Sequence, residues 1–163
     1  MLEDDDCLLP YRWRKVSELT ASATMSKDIE ILRNGIDRTW EKKDNGVWVA
    51  PGEESIVYKW EKRVTISGAR LIFDSQLKVR SKRMRKLEAT TERVKMPDVM
   101  AKKFRIEAFD GKEWKCVFEE KDKDNYLRLR KVSFAPVKAT QLRVVVTETW
   151  GAEKAHIFAF DAL

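Results

Sequence analysis

The sequence predicts an all-β protein built as an antiparallel sandwich, and three observations carry that prediction. Apolar and polar residues alternate with period two through most segments after Ser55. Turn residues recur at about ten-residue intervals, the spacing of hairpins rather than of βαβ units. Helical periodicity is confined to one short stretch near residues 26–34. The 163 residues fit one domain with a core of its own, and 43% hydrophobic against 37% charged residues describes that core inside a very polar surface.

A first strand is expected around "ELTASAT". "SKDIEILRNG" then offers a short helix, with Ser26 as N-cap, acidic residues in the first turn and Asn34-Gly35 as the stop. In "SIVYKWE", Ile56, Tyr58 and Trp60 share one face of a strand and Val57 takes the other. "ARLIFD" follows a turn at "SGA", with Leu71 and Phe73 facing together. "KKFRIEAFDGKEWKCVFEE" is the strongest local pattern: Phe104, Ile106 and Ala108 point one way, Asp110-Gly111 makes a tight turn, and Trp114, Cys116 and Phe118 return. "TQLRVVVTE" sets Leu142, Val144 and Val146 on one face, and "AHIFAFDA" is apolar on both, which predicts a strand buried on both sides. Residues 79–100 are basic and interrupted by Pro97, and read as a long irregular loop or an added hairpin.

Several function classes are excluded. No apolar run approaches the roughly 20 residues of a spanning helix, so no membrane association is expected. The start "MLEDDDCLLPYRW" lacks the basic region and apolar stretch of a secretory signal, so the chain is expected to be cytoplasmic or a piece of a longer chain whose signal lies upstream. Cys7 and Cys116 are far apart and His156 is the single histidine, which excludes a Cys/His zinc site and favours two idle thiols over a disulfide. The net charge of +6 and the run "KVRSKRMRK" (Lys78 to Lys86) suggest a polyanion partner. Acidic residues are nearly as abundant, however, so the run reads as a solvated loop and nucleic acid is not the expected partner. His156 stands in an apolar segment, no Ser/His/Asp set or nucleophile elbow is present, and pairs such as Glu53-Glu54 and Glu119-Glu120 fall in turns. No catalytic residue is assigned, and this fragment is not expected to be an enzyme.

The stretch Asn34-Gly35-Ile36-Asp37-Arg38-Thr39-Trp40 resembles the D-G-D-x-x-T-x-W loop of the galactose-binding-like, or discoidin (coagulation-factor type C), β-sandwich, with Asn for the first acid and the second one residue late. "ARLIFDS", "KEWKCVF" and "ATQLRVVV" resemble its strand phrases, which implies a jelly-roll-like topology. Over nearly the whole chain, "RNGIDRTWEKKDNGVWV", "LIFDSQL" and the segment from "DNYLRLRKVSF" to "HIFAF" are similar to a discoidin-like region at the C-terminal end of certain bacterial proteins described as FAD-dependent oxidoreductases. That resemblance implies that residues 1–12 are a linker and 13–163 one sandwich domain. With no G-x-G-x-x-G present, any flavin fold lies outside these residues and no cofactor is expected here beyond a structural calcium. A parent chain carrying a signal peptide would be periplasmic or extracellular.

Sugar-binding sandwiches of this kind set an aromatic ring against a pyranose and bond its hydroxyls with Arg, Asn and carboxylates. Trp13, Trp60 and Trp114 lie in or beside strand-like patterns and read as core, whereas Trp40, Trp48 and Trp150 sit in polar or Gly-containing segments. Trp48, between Val47 and Val49, is expected to pack inward, leaving Trp40 and Trp150 as platforms. Asp37, Arg38, Asn125, Arg128 and Arg130 complete the expected ligand set. The two arginines, two apart on one strand face, contact a sugar or anion, pair with acids on a neighbouring strand, or dock on an upstream domain. The resemblance also implies a calcium ion held by Asp37, the Thr39 carbonyl and Asp161. The expected function is a non-catalytic, carbohydrate-binding module at the C-terminus of a larger protein. The alternatives are an accessory domain docked on its own catalytic domain, and a polyanion binder acting through Lys78 to Lys86.

Overall fold

Two long strands, β3 (Ser55–Phe73) and β6 (Leu129–Thr149), organise the molecule. The computed structural model describes residues 17–21 as backbone and residues 29–39, 44–76 and 96–163 in full. Around the two long strands lie β1 (Ser17–Ala21), β2 (Val47–Val49), β4 (Ala101–Phe109), β5 (Trp114–Glu119) and β7 (Ala155–Ala162). They are hydrogen-bonded in the order β2-β7-β3-β6-β4-β5, with β1 also on β3, and every pairing is antiparallel.

Breaks in the β3–β6 ladder turn this ribbon into a sandwich. Ser55–Lys59 pairs with the C-terminal part of β6, and that half of the ribbon also carries β1, β4 and β5. Val64–Ile72 pairs with the N-terminal part of β6, and that half carries β7 and β2. The register shifts between Lys59 and Val64, and again between Ile66 and Gly68, opposite the β6 stretch that contains Pro136. A residue with no N–H to donate thus sits where the ladder is already interrupted. The turn expected at "SGA" is this second irregularity inside one continuous strand, because the Ser67 and Gly68 amides bond the Leu163 carbonyl and keep the chain extended.

Each layer contributes one apolar face to a shared core. Ile56, Tyr58, Trp60, Phe104, Ile106, Ala108, Leu142, Val144 and Val146 come from one half, all on the faces that period-two alternation predicts. Leu71, Phe73, Ile157 and Phe160 come from the other, with Leu32 of a short 3-10 helix (Ile29–Arg33) buried beside them. Tyr58 and Phe160 meet across the layers at 5.4 Å, and the Tyr58 hydroxyl donates to the Phe160 carbonyl at 2.8 Å. Phe73 and Phe104 meet likewise at 5.4 Å. The helix is of 3-10 type and stops where expected, with Gly35 at φ +81°, while Ser26, its expected N-cap, lies outside the described residues.

One strand departs from its pattern. A register shift between Ile106 and Glu107 leaves Phe118 opposite Ile106, toward the core, while Cys116 faces Glu107 and Trp114 faces Phe109. Trp114, expected in the core, therefore lies on the outer face, where the Arg143 guanidinium covers its ring at 4.1 Å. Cys116 is exposed with a free thiol, whereas Cys7, Trp13 and the Lys78 to Lys86 run lie outside the described residues.

Because the ribbon doubles back, both of its ends come together at one end of the sandwich. The His156 amide bonds the Val99 carbonyl, the Gly52 amide bonds the Val146 carbonyl, and the Asn125 amide bonds the Lys102 carbonyl. The segments that precede β3, β4, β6 and β7 therefore converge there, joined by Asp44 before β2 and Asp74 after β3, both on His156.

Candidate functional site

In β2 the sequence Val-Trp-Val alternates strictly. Val47 and Val49 are buried in the core, so Trp48 points outward and is 40% exposed, the reverse of the inward packing expected from its apolar neighbours. Its ring stacks on His156 of the adjacent strand, with centroids 4.2 Å apart and planes 12° from parallel. The two residues are direct cross-strand partners. The indole N–H donates to Asp44 Oδ2 at 3.3 Å, so the ring is fixed on one face and at one edge.

His156 is buried and holds the cluster together. Its Nδ1 lies 2.8 Å from Asp74 Oδ2 and its Nε2 lies 2.9 Å from Asp44 Oδ1. Carboxylates only accept, so both contacts are hydrogen bonds when both ring nitrogens carry protons. Phe158 meets the imidazole edge-on at 4.8 Å, and Gly46 lies so close that a Cβ there would fall 2.3 Å from Nε2. A carboxylate thus stands at each ring nitrogen of a buried imidazole. The sequence showed a solitary histidine because its partners come from the segments before β2 and after β3, 112 and 82 residues away.

Burial opposes the charge on Asp74. The bond from His156, the Gln76 amide and the charges of His156 and Arg128 outweigh burial and hold its carboxyl below the usual range. A depressed folded-state value contributes stability that is present above the unfolded value of 3.8 and lost as the pH falls through the folded one. Asp74→Asn is therefore expected to flatten the acid limb of a plot of Tm against pH below about pH 4. Parallel acid limbs in the two proteins would show that the cluster adds nothing to pH dependence.

A second cluster covers the outer face of the same layer. Arg70 of β3 and Asp161 of β7 are cross-strand partners, and the guanidinium bonds Asp161 at 2.7 Å and Asp37 of the loop at 2.7 Å. Burial disfavours the Arg70 charge, but the two carboxylates more than offset it and raise its pKa. Arg128 donates to the Asp37 carbonyl and lies 6.0 Å from the Phe158 ring, joining the two clusters. Asp37 and Asp161 are the carboxylates expected to hold calcium. They do not fit that ion as placed, since a divalent cation on these oxygens would share them with a guanidinium at hydrogen-bond distance. Thr39 is exposed, and no group of metal-ligating side chains occurs among the described residues.

The other expected ligand residues are placed as follows. Arg38 is exposed and its carbonyl accepts from the Asn45 side chain at 3.0 Å. Arg130 pairs with Glu120 of the loop after β5 rather than with an acid on a neighbouring strand. Asn125 is buried and Trp150 half-buried, and the Trp150 indole N–H donates to the Asn125 carbonyl at 2.8 Å. Lys102 lies 5.6 Å from the Trp150 ring. Trp40 lies outside the described residues. The structure thus joins Asp37 and Arg128 to Arg70, Asp161, His156 and Trp48, and brings Asn125 of the loop before β6 together with Trp150 of the turn after it.

No protein-family model matches this sequence, and neither does any curated protein. Among solved structures, the chain is similar to the family 32 carbohydrate-binding module of C. perfringens NanJ in complex with galactose, at 14% identity and TM-score 0.60, over 91% of this chain and 94% of that one. The fold is the galactose-binding-like β-sandwich. It is equally similar to the family 32 module of Streptococcus pneumoniae EndoD, at 16% identity and TM-score 0.61, over 90% of this chain and 94% of that one. A chitosan-binding module from a chitosanase/glucanase of Paenibacillus sp. IK-5 matches at 13% identity and TM-score 0.60, over 90% and 94% of the two chains. In the galactose-binding-like sandwich of this chain, no helix among the described residues is long and apolar enough to cross a membrane.

Proposed function

We propose that this chain is a non-catalytic carbohydrate-recognition module and that Trp48 is its ring platform. The observation that carries this reading is a partly exposed indole locked from below by His156 and at its edge by Asp44. A ring already fixed in place loses little entropy on binding, and its apolar face suits the C–H face of a pyranose. Asp44 stands at its edge to accept from hydroxyls, and Arg128, beyond Phe158, is a donor farther along the same face. His156, buried beneath Trp48 with a carboxylate at each ring nitrogen, supports a binding role over catalysis. The fold it shares with carbohydrate-binding modules agrees with this reading.

Sequence resemblance supports a place for the module at the C-terminus of a larger bacterial FAD-dependent oxidoreductase. The test of the sugar reading is a glycan array followed by calorimetric titration, with Trp48→Ala and Trp150→Ala compared at equal Tm. Truncation of a central aromatic anchor removes about 2 kcal/mol or more, so Trp48→Ala is expected to weaken binding roughly 30-fold. Binding lost in Trp150→Ala and kept in Trp48→Ala would move the site to the neighbouring loop. No binding to any glycan would leave the role of a docked accessory domain.

A further inference from the structure

Trp48 is not the only ring held out at this end of the sandwich. Tyr126 is 66% exposed, with Leu127 and Leu129 exposed beside it. Their loop is strongly built. Asn125 donates from its side chain to the Ala101 carbonyl at 2.9 Å, its side-chain oxygen accepts from the Leu127 amide, and its backbone bonds Lys102 and the Trp150 indole. Every polar group of a buried asparagine thus fixes a loop whose large side chains project away from the core. A fixed loop that presents apolar surface to water points to a ligand.

A row of strand pairings leads from Trp48 to the residue where this loop enters β6. Trp48 on β2 pairs with His156 on β7, the His156 carbonyl accepts from the Asp74 amide after β3, and the Phe73 amide beside it donates to the Arg128 carbonyl before β6. Neighbouring strands are about 4.8 Å apart, so this row spans roughly 14 Å from β2 to β6, and Tyr126 stands two residues before Arg128 in the loop that leads into β6. Asp44, His156, Asp74 and Arg128 lie along it, so that carboxylates alternate with an imidazole and a guanidinium. Two apolar ends separated by donors and acceptors match a sugar chain, which offers C–H faces and hydroxyls in turn, and the row is longer than one ring.

We infer that this row is an extended subsite and that the ligand is an oligosaccharide, read at Trp48 by one residue and at Tyr126 by another further along the chain. The inference rests on the carbohydrate reading, and its test separates the two. Mono- to tetrasaccharides of the gluco-, galacto-, manno-, chito- and uronic acid series are titrated against the wild type, Tyr126→Ala and Trp48→Ala. Affinity for the bound series is expected to rise about tenfold between the mono- and trisaccharide, and Tyr126→Ala to remove that rise, while Trp48→Ala weakens every length. Tyr126 has little burial to lose, so its variant is expected to keep the wild-type Tm. Affinity independent of length and unchanged in Tyr126→Ala, yet lost in Trp48→Ala, would overturn the subsite and leave the platform standing. Failure of every series to bind would overturn both.

Discussion

Arg70→Met is expected to lower stability by about 3–5 kcal/mol, the range found when one partner of a buried ion pair is removed. Arg70 is buried between Asp37 and Asp161, and Asp161 is itself buried. Without the guanidinium, two carboxylates face each other beside a shortened apolar side chain and must be protonated, hydrated or moved. The loop that carries Asp37 also loses its anchor on the β3–β7 face. Arg70→Lys is expected to recover only part of the loss, because one ammonium cannot reproduce a planar fork that reaches two acids. Replacing all three residues by apolar ones, as Asp37→Leu with Arg70→Met and Asp161→Leu, is expected to restore most of the stability, since the penalty comes from the orphaned charges. Urea denaturation of the four proteins measures each step. The same melts in calcium and in EDTA are expected to coincide for the wild type, because the positive charge between these acids is a side chain. An Arg70→Met protein as stable as wild type, or a wild-type Tm raised by calcium, would remove the argument.

The strand faces were legible because burial and period two agree over Ile56, Tyr58 and Trp60, over Phe104, Ile106 and Ala108, and over Leu142, Val144 and Val146. The double burial of β7 was legible too, although its second face is covered through His156 and Asp161 as well as through apolar contacts. The register shift in β5 was not, because the residue that opens it looks like any other, and so Trp114 was misplaced, while the glycine of "SGA" reads as a turn although Pro136 opposite it marks an irregularity in a continuous strand. Trp48 was legible and misread. Two flanking valines suggest an apolar environment, yet alternation requires that when both are buried the residue between them faces outward. The clusters around His156 and Arg70 join residues more than thirty positions apart, so no local spacing could announce them.

Gly46→Ala is expected to damage the platform without touching a ligand. The new methyl would lie 2.3 Å from His156 Nε2 and 2.9 Å from two ring carbons, closer than atoms can approach. The ring cannot swing clear, because Asp74 holds its Nδ1, Trp48 covers one face and Phe158 meets it edge-on. Either His156 leaves Asp44, or the turn moves and carries Trp48, two residues on, with it. Overpacking of this kind costs about 1–3 kcal/mol, and glycan affinity is expected to fall with it. The cause is isolated by a double-mutant cycle with His156→Ala, which removes the obstructing ring. If the clash is responsible, Gly46→Ala costs almost nothing in the His156→Ala background. An equal cost in both backgrounds would place the requirement for glycine in the backbone of the turn, and the close approach to His156 would then be a consequence of that turn rather than the reason for it.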